Sequence, residues 1–144
     1  LLESSNLSPK WSGDIDKEIW IKLLINIAIN PICAITGLRN GEILMQKDIW
    51  NQSCSTMLEA SIIANSLGID IDGNDLISKL KSIIKSTGKN RCSMLQDIMN
   101  GKKTEIDSLC GEIVSKGESL GIPTPLNAML YALIKGIETN SKVV

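Results

Sequence analysis

The chain has 144 residues, 43% of them hydrophobic and 22% charged. That is one ordinary domain's worth of sequence with apolar content for its own core, which argues against disorder and requires no disulfide or metal staple. Fifteen basic against sixteen acidic residues give a net charge of −1, which argues against nucleic acid as a partner, because phosphate backbones demand a clustered basic excess.

Residues 1–13 are rich in Ser and carry Pro9 and Gly13, so they read as a linker. The first residue is Leu rather than Met, and the expectation is a piece of something longer. From Asp14, a suitable helix cap with Asp16 and Glu18 behind it, the pattern changes. The run Glu18 to Asn30, closed by Pro31, is apolar on nearly every side, as in a helix buried within a bundle. Five further helical stretches and a last one follow, bounded by turn residues. They are Gly41 to Ile49, Gln52 to Leu67, a helix from Asn74 or Asp75 to near Gly88, Ser93 to Met99, Thr104 to Leu120, and Pro125 to about Ile137. Alternating strands and internal repeats are absent from this pattern. The predicted fold is a single all-α domain over residues 14–144.

No stretch approaches the roughly 18 apolar residues of a membrane span, and the N-terminus has no basic region of a signal peptide. Cys33, Cys54, Cys92 and Cys110 form no CxxC pair, so they read as free buried thiols in a reducing cytoplasm. Histidine is missing altogether. That removes Ser–His and Cys–His nucleophilic pairs and histidine-ligated zinc, and no metal site is expected; proton transfer falls to Lys, Asp, Glu, Tyr or Cys.

Three polar side chains interrupt the greasy helix. Lys22, Asn26 and Asn30 are four residues apart and drift only about 40° per step, so they share one face. Periodicity alone allows two readings: a solvated edge with a snorkelling lysine, or a cleft wall that aims an ammonium and two amides at a polar ligand. Ser93 stands at a helix start, where it is either an ordinary cap or a contact for a carboxylate or phosphate. Glu105 sits in a first helical turn, where a dipole-compensating acid is the plain explanation.

Trp20-Ile-Lys-Leu-Leu-Ile-Asn-Ile-Ala-Ile-Asn-Pro31 resembles the W-x-K-L-x-x-N-x-x-x-N-P helix of the ketopantoate reductase (2-dehydropantoate 2-reductase) family. Asn40-Gly41-Glu42 resembles its N-G-E motif. Ser93-Met-Leu-Gln-Asp97, Gly101, Thr104-Glu-Ile-Asp107, Gly111 and Gly121-Ile-Pro-Thr-Pro125 follow its later motifs in order. The similarity runs from about Asp14 to Lys135 and concerns the C-terminal helical half, whose bundle is similar to the C-terminal domain of 6-phosphogluconate dehydrogenase. Cys92 departs from the serine often found before Ser93.

The resemblance implies an oxidoreductase that reduces 2-dehydropantoate to (R)-pantoate with NADPH, in the cytoplasmic synthesis of pantothenate and coenzyme A. It implies Lys22 as the catalytic general acid and substrate contact, Asn26, Asn30 and Asn40 as substrate-binding amides, and Ser93 as the contact for the substrate carboxylate. It likewise implies Glu105 as the glutamate that helps organise the site and touches the cofactor. NADP would be held mainly by an N-terminal nucleotide-binding domain of the same protein, residues 1–13 being the linker from it, and the helical domain would be inactive alone. Oligomeric state is not legible in the residues, and a homodimer is allowed. Two other expectations stand beside this one: a sibling 2-oxoacid reductase of the same fold, and a non-catalytic helical domain for oligomerisation or binding.

Overall fold

A computed structural model describes residues 9–143, with side chains over 14–140. The described residues form six α-helices: α1 (Pro9–Thr36), α2 (Lys47–Ser66), α3 (Gly73–Ser86), α4 (Ser93–Met99), α5 (Cys110–Leu120) and α6 (Pro125–Val143). Two short 3-10 turns, Asn40–Met45 and Ile106–Ser108, lie between them. Among the described residues there is no strand, as the absence of alternation predicts.

Helix α1 is the axis of the domain. Leu24, Ile27, Ala28 and Cys33 are fully buried along it, and α2, α3, α4 and α6 all pack against it. Around these side chains gather Ile43, Met57, Ile63, Leu80, Ile84, Met94, Ile106, Ile113 and Ile134 in one continuous core. Burying a side chain of this size contributes about 1.5–3 kcal/mol, so a helix with apolar residues all round is stable only at the centre.

The element boundaries correct several expectations. Helix α1 begins at Pro9 rather than at Asp14, so residues 9–13 of the expected linker are helical; residues 1–8 lie outside the described residues. Proline suits a first helical turn, where its missing N–H would be unpaired anyway, and Asp14 becomes an interior residue instead of a cap. At the other end α1 runs through Pro31 to Thr36. Pro31 withholds a donor from the carbonyl one turn back, but tertiary packing carries the helix on: Pro31 is buried, and Ser53 Oγ donates to the neighbouring Ala28 carbonyl at 2.5 Å.

The second stretch breaks at Gln46, which is extended with ψ 104°, so α2 starts five residues earlier than expected. The stretch from Thr104 breaks at Leu109 (φ −103°, ψ −100°) into a 3-10 turn and α5. Helix α3 starts at Gly73, capped by Asp72, which accepts the Asp75 N–H at 3.0 Å. Helix α6 continues to Val143. The predicted stop of α5 at Gly121 holds, because that residue adopts the left-handed conformation (φ 71°) that glycine reaches without strain.

The membrane exclusion is also corrected. Asp14 to Thr36 is 23 residues long and apolar enough to cross a membrane by length and composition. Leu24, Ile25, Ile27, Ala28, Ile29, Ile32 and Cys33 are buried by the surrounding helices, as in a central bundle helix, while Ile19 and Ile35 are exposed.

Candidate active site

The stripe on α1 descends from solvent into the bundle. Lys22 is exposed, Asn26 half-buried and Asn30 buried at 8%. Lys22 and Asn26 line a cleft of about 370 Å³ between α1 and α3, together with Glu18, Ile21, Ile25, Lys79 and Ile83. That volume sits at the small end of small-molecule sites, roughly 300–1,000 Å³. Ile21, Ile25 and Ile83 supply its apolar lining, and Lys22, Lys79, Glu18 and Asn26 its polar groups. The Asn30 side chain makes no hydrogen bond among the described residues, so its amide is available although largely buried.

Ser93 and Asn30 adjoin through Cys92. The Cys92 thiol lies 3.5 Å from the Asn30 carbonyl and caps α4 by accepting the Leu95 N–H at 3.4 Å. Ser93, one residue on, is therefore not the cap. It is exposed, and its hydroxyl has no partner among the described residues. The contact with the Cys33 thiol, joined by the N–H groups at the head of α4, draws Cys92 below the ordinary thiol range against the opposing effect of burial. All four cysteines are free.

Asn40 is placed differently. Its side chain is 8% exposed; Nδ2 donates to Thr87 Oγ1 at 3.0 Å, and Oδ1 faces the Cys33 thiol at 4.0 Å. Its N–H donates to the Asn90 carbonyl at 3.0 Å, and the Gly41 N–H to the Gly88 carbonyl at 3.0 Å. This close backbone crossing needs glycine, because a Cβ on Gly41 would lie 2.9 Å from the Gly88 Cα. Asn40 thus ties the α1–α2 connection to the end of α3, with its amide already engaged inside the protein.

Glu105 lies in the connection between α4 and α5. Its carboxylate is exposed and unpaired among the described residues, while its neighbours are anchored. Thr104 donates N–H (2.9 Å) and Oγ–H (2.5 Å) to Glu138 Oε2. Asp107 accepts Tyr131 O–H at 2.9 Å and pairs with Lys135 and Lys103 at 3.5 and 3.6 Å. The Tyr131 hydrogen bond leads in holding the Asp107 carboxyl below its usual range. Burial pushes Glu138 up, but the Thr104 hydroxyl and N–H and the Lys135 ammonium outweigh it, so the net shift is downward.

Of the six residues singled out in the sequence, Lys22 and Asn26 share one cleft, and Asn30 and Ser93 meet through Cys92. Asn40 is turned into the protein, and Glu105 stands on a separate loop, the connection between α4 and α5. Two side chains that sequence reasoning passed over belong with them. Lys79 faces Lys22 across the cleft, and Glu138 holds the residue before Glu105. Neither carries a local signal, since each reads as one more charge on an amphipathic helix.

The profile of the family described as "Ketopantoate reductase PanE/ApbA C terminal" matches residues 14–138. The chain is 34% identical over 139 residues to the 2-dehydropantoate 2-reductase of Archaeoglobus fulgidus, covering 96% of this chain and 46% of that protein. A ketopantoate reductase of the PanE/ApbA family from Ralstonia eutropha JMP134 superposes with a TM-score of 0.79 at 34% identity, covering 85% of this chain and 41% of that one. A D-mandelate dehydrogenase solved with NADH and anilino(oxo)acetate superposes with a TM-score of 0.85 at 26% identity, covering 90% and 43%. The chain belongs to the ketopantoate reductase C-terminal family. It spans about half the length of the curated relatives it matches.

Proposed function

From that membership as premise, we propose that the chain is the substrate-facing helical half of a cytoplasmic NADPH-dependent reductase that converts 2-dehydropantoate to (R)-pantoate. The observation that supports the reading is the cleft in which an ammonium and an amide join an apolar lining, with a second amide one turn deeper. Reduction of a ketone places growing negative charge on its oxygen, and a nearby ammonium stabilises that charge and then neutralises it. Lys22 Nζ gives its proton to the carbonyl oxygen. Being exposed, it recovers a proton directly from water. Asn26 and Asn30 orient the ketone and the substrate hydroxyl through their amide N–H groups, and the free Ser93 hydroxyl donates to the carboxylate.

A nicotinamide dinucleotide, when bound, supplies the hydride. The described residues contain no strand leading into a glycine-rich turn and helix, the device that holds a pyrophosphate. The fit of this chain to the cofactor is therefore partial. Glu105, exposed and with its carboxylate unpaired among the described residues, would accept a hydroxyl or amide donor from it, and the remaining contacts belong to a nucleotide-binding half of the same polypeptide. Asn40, with its amide engaged by Thr87, reaches substrate only if that bond is exchanged, so its part in the site is the weakest of the six.

In the full-length protein, Lys22→Ala should lower kcat by at least about a hundredfold, the lower end for general acid catalysis. Near-normal turnover with ketopantoate refutes the assignment. A reductase of another 2-oxoacid is the second reading, favoured by the close backbone match to the D-mandelate dehydrogenase. A kcat/KM for another 2-oxoacid above that for ketopantoate would establish it.

A further inference from the structure

Four consecutive residues, Thr104 to Asp107, are treated unequally by the fold. Thr104 is 5% exposed and both its donors end on Glu138 Oε2. Ile106 is fully buried, and its N–H turns back to Thr104 Oγ at 3.3 Å. Asp107 is gripped by Tyr131, Lys135 and Lys103. Glu105, in the middle, gives its carbonyl to Ser108 and Leu109 at 3.0 and 3.2 Å and leaves its carboxylate in solvent. Three residues of the four are spent on holding the segment, so the direction of the fourth is inherited from them.

The partner behind this arrangement is unusual. Among the described residues Glu138 is the one buried charged side chain, at 8% exposure. Burying a carboxylate is costly unless its oxygens are satisfied. Here Oε2 takes two donors from Thr104, and Oε1 meets Lys135 Nζ at 3.5 Å. A carboxylate makes these bonds charge-assisted, shorter and more directional than an amide oxygen would. It joins residue 104 to residue 138, on the other side of α5, and so fixes the Glu105 segment against α6.

We propose that Glu138 is a positioning residue for Glu105: through Thr104 it sets where the Glu105 carboxylate points, and it touches neither substrate nor cofactor itself. This rests on Glu105 being a site residue, as proposed above. The consequence is a coupling that a general structural role would not produce. A residue that acts through Glu105 has nothing left to position once Glu105 is gone, whereas independent effects add.

The test is a double-mutant cycle on the full-length protein, with NADPH-dependent reduction of ketopantoate as readout. Glu138→Gln should lower kcat/KM by about tenfold, the loss expected for one charge-assisted bond. Glu105→Gln should lower it further, and the double variant should fall within about twofold of Glu105→Gln alone. Thr104→Val removes one donor to Glu138 and the acceptor of the Ile106 N–H, while leaving Glu138 paired with Lys135 and the residue-104 N–H. It should reproduce the Glu138→Gln effect and its masking, and it serves if Glu138→Gln does not fold. Losses that multiply in the double variant, or an unaffected Glu138→Gln and Thr104→Val pair, overturn the positioning role alone. Undiminished activity in Glu105→Gln instead overturns the site reading of Glu105, and this proposal with it.

Discussion

Glu59 offers a stability prediction whose size can be worked from the geometry. It projects from the middle of α2 onto the head of α6, 67 residues away. Its Oε2 accepts the Leu126 N–H at 3.0 Å, and Oε1 accepts both the Asn127 N–H and Asn127 Nδ2 at 2.9 Å. Leu126 and Asn127 are first-turn residues of a helix starting at Pro125, so their N–H groups have no carbonyl within the helix to reach. A carboxylate from another helix takes the place of a cap and also answers the positive end of the helix dipole. Asn127 is fully buried, so water is poorly placed to replace the carboxylate as acceptor for its N–H. Bonds to a charged group contribute about 1.5–3 kcal/mol each. Glu59 is half-exposed and the three bonds share one group, so Glu59→Ala should cost roughly 3–4 kcal/mol in total. At about 2–4 °C per kcal/mol for a domain of this size, the melting temperature should fall by about 6–16 °C. Glu59→Gln keeps one acceptor and should lose about half as much. Far-UV circular dichroism on heating measures both. A fall below about 2 °C for Glu59→Ala would refute the reasoning.

Two further outcomes are expected. Ser93→Ala should raise KM for ketopantoate by about tenfold in the full-length protein, the loss of one bond to an ionised group, with the melting temperature unchanged because Cys92 caps α4; an unchanged KM would leave Ser93 without a substrate role. The chain of 144 residues should unfold cooperatively on its own, bind NADPH weakly and show negligible NADPH oxidation with ketopantoate. Activity should return when a nucleotide-binding half is restored in the same polypeptide, and robust reduction by the isolated chain would overturn the two-domain reading.

What the sequence made legible was whatever depends on period and local chemistry. The stripe of Lys22, Asn26 and Asn30 follows from helical geometry alone, and α4 begins and ends at Ser93 and Met99 as expected. The glycine stop at Gly121 is equally local. The misplacements share a cause, for each is a point where tertiary packing outweighs a local signal. Pro31 should end a helix, yet α1 continues because the residues beyond it, Ile32, Cys33 and Ala34, are core. Thr104 should start one, yet its hydroxyl and N–H are drawn to Glu138, and the chain makes a 3-10 turn before α5 begins.

The cap of α4 shows the same limit at the candidate site. A serine beside a cysteine at a helix start reads as the cap, since hydroxyl oxygens are the preferred acceptors there. The structure gives that task to the Cys92 sulfur, which packs between the Asn30 carbonyl and the Leu95 N–H. The exchange has a chemical consequence. A serine that capped its own helix would have its oxygen committed to the backbone, whereas the Ser93 hydroxyl has no partner among the described residues. The Glu105 carboxylate is freed in a comparable way, because the side-chain bonds that anchor the segment are made by Thr104 and Asp107. In both places the group available for chemistry is the one whose structural duty has been transferred to an adjacent residue, Cys92 in one case and Thr104 in the other. That transfer runs through contacts 62 and 34 residues apart in sequence, beyond the reach of periodicity or spacing.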